Sequence, residues 1–198
     1  NYPSIHYISD VEQAQQVVVE LMAEPVIGLD IETTGLDPLL DKIRLVQLAC
    51  VTATYVIDVY HVPVDVLTPI LSSGPVKVIH NAKFDAGFLY EAPGGVMPEP
   101  LYDTMLADQV VHGRSYGRSL KDIAEDYLEE SFDKDEQVSD WGPEQLTKAQ
   151  IEYAAIDTAA LLPLKEKLDG RADSLGLSEV FFFSSRRRHT MLRCDWSS

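Results

Sequence analysis

Long apolar runs are missing from this sequence. None approaches the eighteen or more residues of a membrane-spanning helix, and no leader-like segment opens the chain. Membrane association is therefore not expected. Cysteine is nearly absent: Cys50 lies in an apolar run and Cys194 close to the end, which leaves no disulfide framework and makes a reducing cytoplasm the expected setting. No Gly-x-Ser-x-Gly elbow occurs and Cys50 falls in a strand-like stretch, so a serine or cysteine nucleophile is not expected. No internal repeat is evident. Positive charge is scarce as well, with 16 Lys and Arg against 32 Asp and Glu, a net of −16. A protein that holds phosphate backbones through its own charge carries the opposite balance. The deficit leaves two classes, an acidic protein that avoids nucleic acid or an enzyme that meets phosphate through bound cations.

What is present is the composition of a soluble globular domain, 45% apolar and 24% charged, in 198 residues that can bury one real core. The sequence opens on Asn1 rather than Met, so a fragment of a longer chain is expected. Asp10 with Gln13 signals a capped helix through Leu21. Val26 to Ile31 alternates as a strand, with Ile27, Leu29 and Ile31 on one face and Gly28, Asp30 and Glu32 on the other. Lys42 to Val51 and Thr54 to Val59 read as two more strands, whose short connection requires antiparallel pairing. Val76 to Ile79 is a short strand followed by a helix from Ala82 to Tyr90. Helical spacing returns over Asp103 to Val111, Ser119 to Leu128 and Thr147 to Leu168, with capping-box spacings at Ser119/Asp122 and Thr147/Gln150. Pro163 is expected to bend the last helix. The sum is an α/β fold with an antiparallel group of strands first and helices flanking the sheet.

Residues 1–170 are expected to form the domain and residues 171–198 a tail. Phe181-Phe182-Phe183, the triple arginine Arg186-Arg187-Arg188 and the terminal Cys194-Asp195-Trp196 break the character of the chain. The tail is expected to be disordered or, from about residue 184, translated adapter sequence. Without residues 184–198 the chain loses four arginines and one aspartate, leaving 12 basic against 31 acidic side chains, a net of −19.

Three short patterns carry chemistry. Asp30 and Glu32 stand two apart on a strand and so project side by side. At about 5 Å, with an effective dielectric near 20, two such carboxylates repel by roughly 3 kcal/mol, which draws in either a proton or a cation. Next, Asn81 sits where a helix begins, as an expected cap, and Asp85 follows one turn in, where the helix start also favours negative charge. Last, Tyr153 and Asp157 share a helix face at i, i+4. Alone, the first two patterns are better explained by a solvated strand face and a structural first-turn acid, and the third at least as well by a core tyrosine.

In this order, and on strand, helix start and helix, the patterns resemble the DEDDy 3′→5′ exonuclease superfamily, which includes RNase D and the proofreading domain of DNA polymerase I. The likeness runs from about residue 5 to 168 and takes in Ser119-Leu-Lys-Asp-Ile-Ala and the stretch from Asp133 to Trp141. It implies an RNase H-like core in which Asp30, Glu32, Asp85 and Asp157 hold two divalent cations, Mg²⁺ or Mn²⁺, for phosphodiester hydrolysis at 3′ ends of RNA or DNA. Hard cations take oxygen ligands, and a site without His or Cys suits them. In such a two-metal site one cation generates the nucleophile and the other stabilises the leaving oxygen. By the same likeness Tyr153 orients the attacking water, since a phenol titrating near 10 is a poor base, and Thr33, Leu36 and Asn81 meet the terminal nucleotide. Lys42, Arg44, Lys83, Arg114, Arg118 and Lys121 are basic candidates for backbone contact, and Tyr116 between two arginines suits stacking on a single strand. Asp103 is expected to cap a helix, His80 to be a satisfied core histidine and Trp141 to pack a loop. The partners implied are single-stranded or frayed 3′ ends, RNA slightly favoured, with further domains possible downstream. A DNA proofreading or repair domain is the alternative, and a non-catalytic binding module on the same fold the minor one.

Overall fold

The computed structural model describes residues 3–128 and 139–177. The chain enters as an edge strand, β1 (Ser4–Ile8), and passes through helix α1 (Val11–Leu21), whose Asp10 carboxylate accepts the Gln13 amide at 3.0 Å. Three strands follow, β2 (Val26–Thr33), β3 (Ile43–Ala49) and β4 (Ala53–Asp58), paired antiparallel as their short connections dictate. A 3-10 turn (Val64–Leu67) and a short helix α2 (Thr68–Ser72) lead to β5 (Val76–Ile79), parallel to β2, then to α3 (Ala82–Glu91). Strand β6 (Leu101–Asp103), helices α4 (Thr104–His112) and α5 (Leu120–Leu128), and the long α6 (Lys148–Ser174) complete the described order. The six strands lie in the order β1-β4-β3-β2-β5-β6.

The antiparallel trio matches expectation, but it comprises the second to fourth strands, because β1 precedes it and pairs parallel to β4. Neither β1 nor β6 was expected. Four of the five β1 residues are exposed and β6 is three residues long, so neither carries the alternation that marks a half-buried strand. Pro163 stands exposed inside α6, which runs on to Ser174 as one helix rather than ending near Leu168.

The two faces of the sheet differ. Ile27, Leu29 and Ile31 pack with Ala14, Val17, Val18 and Leu21 of α1 and with Phe88 and Leu89 of α3. Burying each large side chain contributes about 1.5–3 kcal/mol. The opposite face meets α6, where Leu45 and Val56 cluster with Ala154, Ala155 and Trp141. At Gly28 the helix comes so close that a Cβ would stand 2.7 Å from the Thr158 carbonyl oxygen. That approach carries the neighbouring Asp157 toward the Asp30 and Glu32 side of β2.

Candidate active site

Three elements supply the acids. Strand β2 presents Asp30 and Glu32 on its α6 face, and the ladder with β3 shifts register between Glu32 and Thr33, where the strand turns away. Helix α3 brings Asp85, which is 2% exposed, from its first turn. Helix α6 brings Tyr153 and Asp157. Its start is fixed by a complete capping box, with Thr147 Oγ1 accepting the Gln150 amide at 3.1 Å and Gln150 Oε1 accepting that of Thr147 at 2.9 Å.

Asp30 is the hub. Asp85 and Asp157 both act on it, and burial followed by the charge of Asp157 pushes its carboxyl up to about 7. Glu32 is raised well above the carboxylate range by burial, then by Asp30 and Asp157. Asp85 is raised by burial and by Asp30. Burial lifts Asp157 to about 6, partly offset by a hydrogen bond from Tyr153 and by the charge of Lys121. Tyr153 is pushed up by burial and then by Asp157, with Glu32 and Asp30 adding to it, so its hydroxyl keeps its proton at neutral pH. Four carboxyls and a phenol from three elements thus share one electrostatic neighbourhood in which each added negative charge is resisted.

A divalent cation would reverse that cost, and the donors suit a hard one. They are all oxygen, and Asp85 Oδ1 is buried with no hydrogen-bond partner. Among the described residues no three acid, histidine or cysteine side chains form a ready-made ligand cluster.

The other expected residues divide. Thr33 Oγ1 donates to the Gly35 carbonyl at 2.6 Å within the turn after β2, and Leu36 at its tip is 84% exposed. Asn81 is exposed, but it does not cap α3 through its side chain. It adopts a left-handed conformation, φ 57°, and Asp103 Oδ2 accepts the Ala82 amide instead, at 3.1 Å. Asp103 also caps α4 through Met105, so one carboxylate serves two helix starts. His80 is satisfied, with Nδ1 2.9 Å from Thr104 Oγ1 and Nε2 2.9 Å from the Arg118 carbonyl. Trp141 is buried against β3, β4 and α6.

Arg44, expected to contact a nucleic-acid backbone, is fully buried. It pairs with the buried Asp58, lies under the Tyr60 ring, and donates to the Glu144 carbonyl at 2.8 Å, latching the segment before α6 to the sheet. Arg114 pairs with the buried Asp108 and Arg118 with the exposed Asp126. Lys42 and Lys83 are exposed. The stretch from Asp133 to Trp141 is described only from residue 139, and the part of the expected tail from residue 178 onward lies outside the described residues. Sequence reasoning passed over Gln47, fully buried on β3 directly opposite Asp30, because a single polar residue in an apolar strand carries no pattern.

Residues 5–172 match the 3′-5′ exonuclease family. DNA polymerase I of Aquifex aeolicus is 37% identical over 164 residues, covering 82% of this chain and 27% of the polymerase. Ribonuclease D of Pseudomonas paraeruginosa is 30% identical over 174 residues, covering 85% of this chain and 45% of the ribonuclease. The chain thus spans less than half the length of either. Among solved structures, Brucella melitensis NrnC with bound Mg²⁺ superposes at a TM-score of 0.77 with 26% identity, over 98% of this chain and 96% of that one.

Proposed function

This chain belongs to the 3′-5′ exonuclease family, and from that membership we propose that it removes nucleotides one at a time from nucleic-acid 3′ ends, in the manner of ribonuclease D. The observation that carries the reading is the meeting at Asp30 of Asp85 from α3 and Asp157 from α6. Acids this far apart in sequence have no structural reason to crowd, since each raises the cost of ionising the others. Asp30, Glu32, Asp85 and Asp157 would hold two divalent cations, Mg²⁺ or Mn²⁺, and the Mg²⁺ found in the Brucella neighbour supports the choice. When bound, such ions supply a reactive water at neutral pH and neutralise charge on the phosphate.

The chain's own residues do the rest. Tyr153 keeps its proton, and with Asp157 turned to a cation its hydroxyl would be free to donate to the attacking water and orient it rather than act as a base. Water adds to the terminal phosphorus as the bond to the preceding 3′ oxygen breaks, and that oxygen takes up a proton. Exposed Leu36 and Asn81, with Thr33 at the end of β2 directly after Glu32, would meet the terminal nucleotide. The domain would span residues 1–170 together with the last turn of α6 to Ser174, which the expected tail had included, and work in the cytoplasm on single-stranded or frayed ends. No helix among the described residues is long and apolar enough to cross a membrane.

A second reading, a DNA proofreading or repair domain of a family A polymerase, is favoured by the higher identity to the Aquifex polymerase. A time course on 5′-labelled single-stranded RNA and DNA with Mg²⁺, Mn²⁺ or EDTA tests both. We expect a ladder shortening from the 3′ end, abolished by EDTA, with the faster polymer naming the substrate class. Intact substrates with folded protein and either metal would overturn the activity.

A further inference from the structure

Gln47 on β3 pairs with Asp30 on β2 in the antiparallel register. Paired residues on neighbouring strands project from the same face with their Cβ atoms about 4.5–5.5 Å apart, so the carboxamide stands beside the Asp30 carboxyl on the face covered by α6. The side chain is fully exposed to neither solvent nor partner: its burial is complete, and neither Oε1 nor Nε2 has a hydrogen-bond partner. Native interiors rarely leave a carboxamide in that state, because its lost hydration is not replaced. Among the polar residues on its neighbouring strands, Asp30 stands directly opposite, whereas Glu32 on β2 and Asp58 on β4 are diagonal and Asp58 is already held by Arg44 and Tyr7. Leu45 and Ala49 flank it on the same face of β3, and Val56 pairs with it on β4. The Thr54 hydroxyl, also buried without a partner, lies diagonally across on β4 and one strand further from the acids.

Asp30 and Asp85 lie close enough for each to act on the other's carboxyl. With both turned to a cation, Asp30 needs a neutral donor to keep its orientation. Carboxylates that ligate metals are themselves held by hydrogen bonds of this kind. We infer that Gln47 is a positioning residue for Asp30, its Nε2 donating to the Asp30 carboxylate and fixing the orientation in which that carboxylate takes a divalent cation. The inference rests on the metal-dependent exonuclease reading above.

The test is Gln47→Met, close in shape and without donors, measured by Mn²⁺ titration calorimetry and by thermal melting in EDTA. The expected result is a melting temperature in EDTA at or above that of the wild type, because an unpartnered polar group has gone, together with a Mn²⁺ affinity reduced on the order of 10–100-fold. A residue that only fills the core would leave that affinity alone, so an affinity within twofold of wild type overturns the inference. Gln47→Leu repeats the measurement with a second shape. If both variants unfold in EDTA, Gln47 is a requirement of the core and the inference is also overturned. Failure of the wild type itself to bind Mn²⁺ would instead sink the reading beneath it.

Discussion

The Asp30 carboxyl is held up to about 7, against an ordinary 3.8, first by burial and then by Asp157. Between those values the folded chain binds more protons than the unfolded one, so stability falls as pH rises through the window. The penalty is absent below pH 4 and complete by pH 8. Asp30→Asn should therefore raise the melting temperature of the metal-free protein at pH 8, by roughly 2–4 °C for each kcal/mol relieved, and leave it unchanged at pH 4. The same substitution should abolish turnover. Scanning calorimetry at the two pH values checks it, and equal gains at both would show that the charge is not the cause. Tyr153→Phe separates orientation from ligation: turnover should drop on the order of 10²-fold while Mn²⁺ affinity stays within about twofold. A matching loss of affinity would make the phenol part of the cation site. The acids and Tyr153 could be singled out in the sequence because each sits in a short spaced pattern on one element. Gln47 could not, since only the β2–β3 register makes it a neighbour of Asp30. Asn81 misled for a similar reason, because the carboxylate that caps α3 arrives from Asp103, 22 positions later, across the β5–β6 pair.

Helix α6 ties fold to site, and its distance from β2 is set at one position. Gly28→Ala places a Cβ 2.7 Å from the Thr158 carbonyl oxygen and 3.3 Å from the Ala49 Cβ, against backbone on one side and sheet on the other. The helix must move outward, taking Asp157 with it, and a displacement near 1 Å costs about 10²-fold in rate. Gly170, on the same helix, has nothing within 4 Å of a new Cβ. Gly170→Ala should stabilise by about 0.5–1 kcal/mol through helix preference alone, without changing turnover. Measuring the pair by denaturant melts and by nuclease rate decides the matter. Comparable activity in both variants would mean that the α6–β2 spacing does not control the site. The latch at the start of α6 is a second device at this scale. Arg44→Met leaves Asp58 buried without its cation and should destabilise the domain by about 3–5 kcal/mol, readable as a lower urea midpoint. From sequence Arg44 looked like a surface cation in a strand. Its buried partner lies 14 residues on in β4, and a contact of that range leaves no mark in local periodicity.

Across the whole molecule, the charge balance turns the usual rule for nucleic-acid binding around. The chain carries a net −16, and much of its described positive charge is spent internally. Arg44 is held by Asp58, Arg114 by Asp108 and Arg118 by Asp126, while Lys148 and Lys165 pair with Glu152 and Asp169 one helical turn away. A protein with six to ten phosphate contacts loses about 10³–10⁵ in affinity between 50 and 200 mM salt, as the released counterions become harder to set free. Here the attraction would come from divalent cations seated in a largely buried acid cluster, where monovalent salt screens little, while the outer surface repels the polymer. Raising KCl weakens that repulsion as well as any attraction. With Mg²⁺ saturating, kcat/KM on a short single-stranded oligomer should therefore fall by less than about tenfold over the same interval. A fall of 10³ or more would mean that a basic footprint supplies the binding. The cations, and with them Asp30, Glu32, Asp85 and Asp157, would then be confined to the chemical step.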